Sequence, residues 1–282
     1  MSFFTVSGLT AGYGGAPVVN GVSFEVEAGS LLGILGANGS GKTTLLKAVC
    51  GILPHEGSCA LETENLEKAV LEELPPRRLA RLCGYIPQRS GISIDISVLE
   101  AVLMGFNPRL KLLEYPSREM KEQAREALQA VGLGGREEEN YQHLSEGQKQ
   151  LCILARTLAA GGRLLFLDEP ESALDFRYRY RMLELLKGWL RNGDRAGLAA
   201  LHDPALALNY CDCLLLLAGG EVRSLLRPGS DSLGKMEAGL SELYGPVSLR
   251  RCQNRSGREQ LVMLKEEEGD DYEGSDKNPV SG

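Results

Sequence analysis

Residues 36–43 read Gly36-Ala37-Asn38-Gly39-Ser40-Gly41-Lys42-Thr43, the spacing G-x-x-x-x-G-K-[ST] of a phosphate-binding loop. On its amino side, Ser30-Leu31-Leu32-Gly33-Ile34-Leu35 reads as a buried strand. On its carboxyl side, Thr44 to Cys50 reads as a helix with Leu45, Leu46 and Val49 on the apolar side. The residue types follow from the chemistry. Glycines let the backbone turn its N–H groups inward around a phosphate chain. The helix N-terminus adds a positive dipole end. Lys42 supplies a mobile point charge for the β and γ phosphates, and Thr43 offers a hydroxyl to Mg²⁺. A glycine-rich turn that carries a lysine by accident is the competing reading, and the strand–loop–helix context leaves it little room. The loop predicts nucleoside triphosphate binding and is silent on how the energy is used.

The totals set outer bounds. The chain has 282 residues, 43% of them hydrophobic, enough for one large domain or two small ones with a sizeable core. The net charge is −7, and residues 265–282 hold −5 of it as two lysines against seven acids, leaving the body at −2. A nearly neutral body carries no electrostatic footprint for nucleic acid. Arg177, Arg179 and Arg181 form a local run, expected on the solvated side of a helix or its first turn. There are seven cysteines and no C-x-x-C; Cys211 and Cys213 read as small apolar residues where a loop meets a strand. A reducing compartment fits. No signal peptide is visible, and no run approaches the ~18–20 apolar residues that cross a bilayer, so a membrane role would act through a partner.

Along the chain, residues 3–8 and 22–26 read as strands around the turn-rich Gly12-Tyr13-Gly14-Gly15, with further strands at Gly57–Leu61 and at 84–87, leaving Gln88 in a loop. Residues 89–144 change character. Val98–Met104 and Ser117–Val131 read as helices, the second capped by Ser117. Leu144-Ser145-Glu146-Gly147-Gln148 opens a helix running to about Ala160, with Ser145 and Gln148 spaced as a capping box. That local role explains Ser145 and Gln148 but not Gly147, because glycine in a first helical turn is destabilising unless something approaches closely.

Arg163-Leu164-Leu165-Phe166-Leu167-Asp168-Glu169-Pro170 is an apolar strand ending in two acids. Such runs mark central parallel strands, and acids at their carboxyl ends lie where α/β sheets bind ligands. A helix is predicted over 178–192, and the strand Gly197–Leu201 delivers His202 to its carboxyl end. Cys213–Leu217 and Glu221–Leu225 read as closing strands, Met236–Tyr244 as a helix, and Val247–Arg251 with Gln260–Leu264 as a hairpin. The tail from about Lys265 is acidic and rich in Gly, Ser and Asp, and is expected to be disordered.

Over residues 3 to about 227 the order of these pieces resembles the ATP-binding cassette (ABC) family of ATPases. Tyr13 matches the aromatic that stacks on adenine, Gly36–Thr43 the Walker A loop, and Gln88 the Q-loop. Leu144–Gln148 matches the signature L-S-G-G-Q, Asp168 and Glu169 the Walker B pair, Ser172-Ala173-Leu174-Asp175 the D-loop, and His202 the switch histidine. A finer likeness is to ATPases serving ferric-siderophore, haem and cobalamin importers: Val102-Leu103-Met104-Gly105-Phe106-Asn107-Pro108, His202-Asp203-Pro204, and Leu243-Tyr244-Gly245-Pro246-Val247 carry it. The chain departs from the family at Glu146 in the signature, at Gly161-Gly162 before Walker B, and at Glu171.

The resemblance implies an α/β fold. Its core would be a P-loop NTPase (RecA-like) unit carrying an N-terminal antiparallel β subdomain and an inserted helical subdomain at about 89–160. An ATPase domain would span 1–230, an extension 231–264, and an acidic tail 265–282. Catalytic positions would be Glu169, His202 and Gln88. The nucleotide would touch Tyr13, Gly36, Ala37, Asn38, Gly39, Ser40, Gly41, Lys42, Thr43 and Thr44. Thr43, Gln88 and Asp168 would serve Mg²⁺. In the family two cassettes stack head to tail, so Ser145, Gly147, Gln148 and Asp175 would meet ATP held by a second copy, giving a symmetric homodimer. The expected partners are integral membrane permease subunits, docked on the helical insertion at the cytoplasmic side of the cell membrane, and indirectly a substrate-binding protein. A soluble iron–sulfur assembly ATPase, or an importer ATPase for another substrate, is the alternative. The DNA-repair branch is set aside because the span from Gln88 to Ser145 is too short for its coiled coil and carries no heptads.

Overall fold

The structure, a computed structural model, describes residues 2–62, 67–88, 91–172, 174–191 and 193–267. Ala173 of the D-loop, Asn192 at the expected helix end, and 268–282 of the acidic tail lie outside the described residues.

Strand β1 (Ser2–Ala11) pairs antiparallel with β2 (Val19–Glu27). The chain then enters a second sheet through β3 (Leu31–Leu35), passes the glycine-rich loop, and forms α1 (Lys42–Val49). It returns as β4 (His55–Glu62) and β5 (Lys68–Val70) to complete a four-stranded sheet ordered β2-β1-β4-β5. Next come α2 (Pro76–Leu82), β6 (Cys83–Ile86), α3 (Val98–Leu103), α4 (Arg118–Val131) and α5 (Glu146–Ala160). The chain continues through β7 (Leu164–Asp168), α6 (Phe176–Leu190), β8 (Ala196–Ala200), α7 (Pro204–Tyr210), β9 (Cys213–Ala218) and β10 (Glu221–Leu226). It closes with α8 (Leu233–Tyr244) and the hairpin β11 (Val247–Gln253) and β12 (Glu259–Lys265).

The second sheet is ordered β10-β9-β3-β8-β7-β6 and is parallel except at β10. All five residues of β3, β7 and β8 are buried, as expected for central strands covered on both faces. Strand order does the functional work. Because β8 lies between β3 and β7, the loop after β3, the acids after β7 and the histidine after β8 emerge side by side.

Two cores hold this arrangement. One, around Phe4, Val22, Leu45, Phe166 and Leu198, glues the N-terminal sheet and α1 to one face of the parallel sheet. The other joins the opposite face to the helical insertion and to α8 and the terminal hairpin, through residues such as Phe106, Leu128, Tyr141, Leu183, Met236 and Leu249.

Local chemistry sets the ends of the elements. Ser117 caps α4 and Gly132 ends it in the left-handed region at φ 82. The expected capping box of Ser145 and Gln148 forms at the start of α5. Gly161 ends α5 at φ 67, a conformation glycine adopts without strain, and a Cβ on Gly162 would come within 2.8 Å of the Leu82 carbonyl oxygen.

Several expectations change. The helix expected over 178–192 runs from Phe176 to Leu190, because Asp175 caps it. Lys265, expected to open the tail, is the last residue of β12. The arginine run is only partly solvated: Arg179 Nε donates to the Leu174 carbonyl at 2.8 Å, and an Arg181 guanidinium nitrogen donates to the Ala130 carbonyl at 2.8 Å, tying α6 to α4. Two short helices, α2 and α7, were not anticipated.

Candidate functional site

A cleft of about 330 Å³ opens at the carboxyl ends of β3, β7 and β8, lined by Val18, Asn38–Thr44, Gln88, Glu169 and His202. The loop's shape comes from glycine at two positions. A Cβ on Gly36 would strike the Leu217 carbonyl oxygen and come within 2.5 Å of Ser40 Oγ. Gly41 sits at φ 104, and a Cβ there would meet Val19 Cγ1 at 2.7 Å. Gly41 is also the N-cap of α1 and offers no side chain to its first turn, so the leading N–H groups face the cleft uncapped. Ser40 Oγ is buried without a hydrogen-bond partner. Free backbone donors, an orphaned hydroxyl and a buried cation form a donor set suited to a polyphosphate.

Lys42 is 4% exposed, and its Nζ donates to the carbonyls of Gly36 at 2.9 Å and Ala37 at 3.2 Å. Burial lowers its pKa, and the nearby carboxylates of Glu169, Asp168 and Glu171 oppose that shift. Nζ is 3.9 Å from Glu169 Oε1, so this lysine can turn from its own loop towards an anion in the cleft. Thr43 Oγ1 donates to Asp168 Oδ1 at 2.8 Å, and the Tyr85 hydroxyl donates to Asp168 Oδ2 at 3.0 Å. Burial, then the Asp168 charge, pushes the Tyr85 pKa up, so it stays a donor. Thr43 and Asp168 thus present two hard oxygens at one point, the ligand type that Mg²⁺ takes alongside phosphate oxygens and water.

Glu169 is the centre of the polar network. Gln88 Nε2 donates to its Oε2 at 2.7 Å, and His202 Nε2 lies 2.8 Å from its Oε1. Its backbone is at φ 50, a conformation side-chain-bearing residues rarely adopt and which costs on the order of 1–3 kcal/mol. The turn is held by the Glu169 N–H on the Ala200 carbonyl at 3.1 Å and by the Ser172 N–H on the Glu169 carbonyl at 3.1 Å. That strain directs the carboxylate into the cleft instead of along the strand.

Of the residues singled out in the sequence, Asn38, Gly39, Ser40, Gly41, Lys42, Thr43, Thr44, Gln88, Glu169 and His202 line the cleft, and Asp168 adjoins it through Thr43. Gly36 and Ala37 contribute carbonyls to Lys42. Tyr13 stands 61% exposed on the β1–β2 loop, which also delivers Val18 to the cleft. Ser145, Gly147, Gln148 and Asp175 are not among the lining residues. Ser145 and Gln148 bond to each other's backbone at 3.3 and 3.0 Å, and Asp175 caps α6 by accepting from the Tyr178 N–H at 3.0 Å. Glu146 is exposed and pairs with Lys149 at 2.8 Å, so its replacement of a glycine leaves the capping box intact.

Two residues that shape the site belong to none of the sequence motifs. Gln150 is 5% exposed, and its amide donates to the carbonyls of Pro87 at 3.1 Å and Gln88 at 2.5 Å, pinning the Q-loop to α5. The other is Tyr85. The available signal for Gln150 was an uncharged polar residue interrupting the apolar run that follows it. Glu171, noted as a departure, is 2% exposed and accepts from the His202 N–H at 2.8 Å. Burial raises its pKa, and its Oε2 has no partner.

The chain matches the ABC transporter family over residues 19–172, more than half its length. It is 36% identical over 249 residues to the hemin import ATP-binding protein HmuV of Jannaschia sp., covering 86% of this chain and 87% of that protein. It is 34% identical over 222 residues to the ABC transporter ATP-binding protein YvrA of Bacillus subtilis, covering 78% of this chain but only about half, 49%, of that relative. Among solved structures, one chain of an ABC transporter in an inward-facing conformation, described as of the metal-chelate type, superposes with a TM-score of 0.77 at 24% identity, over 93% of this chain and 96% of that one. An ATP-binding cassette solved as a dimer in a post-hydrolysis state with ADP and Pi superposes with a TM-score of 0.69 at 22% identity, over 81% of this chain and 100% of that one. With its P-loop NTPase fold and its Walker A loop, signature and Walker B acids in order, the chain belongs to the ABC transporter family and is an ATP-binding ATPase.

Proposed function

We propose that this chain is the ATP-hydrolysing subunit of an ABC importer that powers uptake of an iron complex, haem or cobalamin through a partner permease, at the cytoplasmic side of the cell membrane. One observation carries the catalytic half of this reading: the Glu169 carboxylate is met by Gln88, His202 and Lys42 at the head of the phosphate-loop cleft. In this reading Glu169 accepts the proton of the attacking water. His202 orients Glu169 and reaches the terminal phosphate, and Lys42 with the loop amides holds the phosphate chain. Thr43 and Asp168, with Gln88, would hold Mg²⁺, which supplies charge neutralisation at the β and γ phosphate oxygens. The protein contributes position and fixed charge more than covalent chemistry.

Ser145, Gly147, Gln148 and Asp175 lie away from this cleft, so the reading places them against ATP held by a second copy in a symmetric homodimer. The importer half is supported by the likeness to HmuV and by the Met104–Pro108 stretch. Among the described residues no helix is long and apolar enough to cross a membrane, and this reading gives the crossing to a partner permease. The test is co-purification from membranes, followed by reconstitution of the permease complex in vesicles with the candidate cargo. ATP-dependent uptake that stops with Glu169→Gln supports the reading. Recovery with soluble assembly proteins and no permease overturns it.

A further inference from the structure

A second polar cluster lies in the N-terminal sheet, outside the nucleotide cleft. His55 Nε2, Cys59 Sγ and a Glu72 carboxylate oxygen all fall within 4.8 Å of one another, the one such group of potential metal ligands among the described residues. His55 and Cys59 are four positions apart on β4. On a flat strand that separation would be about 13 Å. The strand is not flat: Gly57, between them, sits at φ 93, and the β1–β4 register shifts between Ser7 and Thr10. The bend brings the imidazole Nε2 to 3.9 Å from the thiol. Glu72 arrives from the turn after β5, and its Oε1 lies 2.8 Å from His55 Nε2.

The hydrogen-bond bookkeeping of the imidazole gives this cluster meaning. Nδ1 lies 3.2 Å from the Leu53 carbonyl, which can only accept, so Nδ1 carries a proton. On the other side, Nε2 faces a carboxylate oxygen that already accepts from the Cys59 N–H at 2.8 Å. Nε2, the carboxylate and the sulfur thus face one another closely enough to share a proton or to converge on a cation. A ring oriented through Nδ1–H to a backbone carbonyl, with the carboxylate fixed by a backbone N–H, is the supporting shell that metal-binding histidines and carboxylates usually have. Tetrahedral zinc would need N···S and N···O separations of about 3.6 and 3.3 Å, from its usual bond lengths. The sulfur is already near that distance, and the carboxylate needs to open by about half an ångström. The cluster borders a surface cleft between Gly51, Leu53, Leu71 and Leu79, which gives an entry path.

We propose that His55, Cys59 and Glu72 form a binding site for a divalent cation of the zinc class, with water as the fourth ligand. One nitrogen, one sulfur and one carboxylate oxygen form a donor set that favours zinc over Mg²⁺ or Ca²⁺. Binding forms the metal–sulfur bond and releases the thiol proton to solvent, so affinity falls as pH falls. The site ties β4 to the turn carrying Glu72. It stands five residues beyond Cys50, where α1 ends, so its occupation bears on the segment that follows the phosphate loop. The proposal does not depend on what the importer carries.

The test uses the full chain, untagged, stripped with EDTA and free of nucleotide, titrated with CoCl₂ and then ZnCl₂. The expected result is a thiolate-to-cobalt charge-transfer band in the near ultraviolet that saturates at one equivalent and is bleached by zinc. Cys59→Ser should abolish the band. Glu72→Gln keeps the side chain's size and an oxygen for the Cys59 N–H, and should weaken zinc binding by at least what losing an outer-shell partner costs, about 10–100-fold. Cys252→Ser and His202→Ala should leave both readings unchanged. Absence of the band, a band that survives Cys59→Ser, or unchanged zinc affinity in Glu72→Gln each overturns the proposal and leaves a His–Glu ion pair beside an inert thiol.

Discussion

Replacing Gln150 by Leu separates positioning of the Q-loop from the strength of the fold. The Gln150 amide donates to two carbonyls, at Pro87 and Gln88, and among the described residues no other α5 side chain hydrogen-bonds to either. Each bond contributes about 0.5–1.5 kcal/mol net, so about 1–3 kcal/mol of anchoring is removed. If all of it went into holding Gln88 against Glu169, turnover would fall by roughly 5- to 150-fold, at 1.36 kcal/mol per tenfold. Global stability should change much less. Gln150 Oε1 is buried with no partner, and deleting an unsatisfied polar atom returns about 1–3 kcal/mol. The two effects oppose each other in stability and not in catalysis. The expected outcome is therefore a phosphate-release rate lower by up to roughly 5- to 150-fold, with a melting temperature within about 3 °C of the parent. Nucleotide affinity should be unchanged, because Gln150 touches none of the phosphate-loop residues. A variant that hydrolyses ATP at the parent rate, or that loses nucleotide binding with its turnover, would refute this reasoning.

Two further substitutions probe the same network. Glu169→Gln keeps the size of the side chain and removes the base; turnover should fall roughly 10²–10⁴-fold while a fluorescent ATP analogue still binds, and full hydrolysis would remove Glu169 from its proposed role. Glu171→Gln tests burial. Since the folded state raises the Glu171 pKa, it holds the proton more tightly than the unfolded chain does. The resulting stability is present below the ordinary carboxylate pKa and is lost as pH rises through the folded value. The variant's melting temperature should therefore match the parent's near pH 4.5 and exceed it increasingly towards pH 8, and a constant difference across that range would count against a buried carboxylate there.

How much of this was legible in the sequence depends on distance along the chain. Ser117, Ser145 and Gly132 act on neighbours three or four residues away, so helix ends are written locally. The apolar runs of β3 and β7, with acids at the end of one and a glycine loop at the end of the other, placed the cleft. Helix α2 was hidden because none of its residues is buried, so it carries no apolar stripe. Helix α7 was hidden for the opposite reason: Pro204-Ala205-Leu206-Ala207-Leu208 is too uniformly apolar to show a period, although Asp203 capping with Pro at the first turn was a usable sign. Gln150 and Tyr85 find their partners 63 and 83 positions away, and a local pattern can at most mark Gln150 as a polar residue against an apolar run without naming its partner.

The signature residues pose a last question: whether a side chain spent on capping can also hold a phosphate. Ser145 Oγ accepts from the Gln148 N–H at 3.3 Å, but a hydroxyl that accepts still has its own hydrogen to donate. Gln148 uses its Oε1 on the Ser145 N–H, which leaves both hydrogens of its Nε2 free. The capping box that starts α5 thus leaves donors on an exposed helix N-terminus, where an anion is favoured. Ser145→Asp distinguishes the two duties. Aspartate caps as well as serine, so α5 and the melting temperature should hold to within about 1 kcal/mol. Its charge would face the γ-phosphate of ATP on the second copy, so ATP-driven dimerisation and turnover should collapse together. If Ser145→Asp dimerises and hydrolyses like the parent, the signature helix is only a well-capped helix, and the shared-site arrangement fails with it.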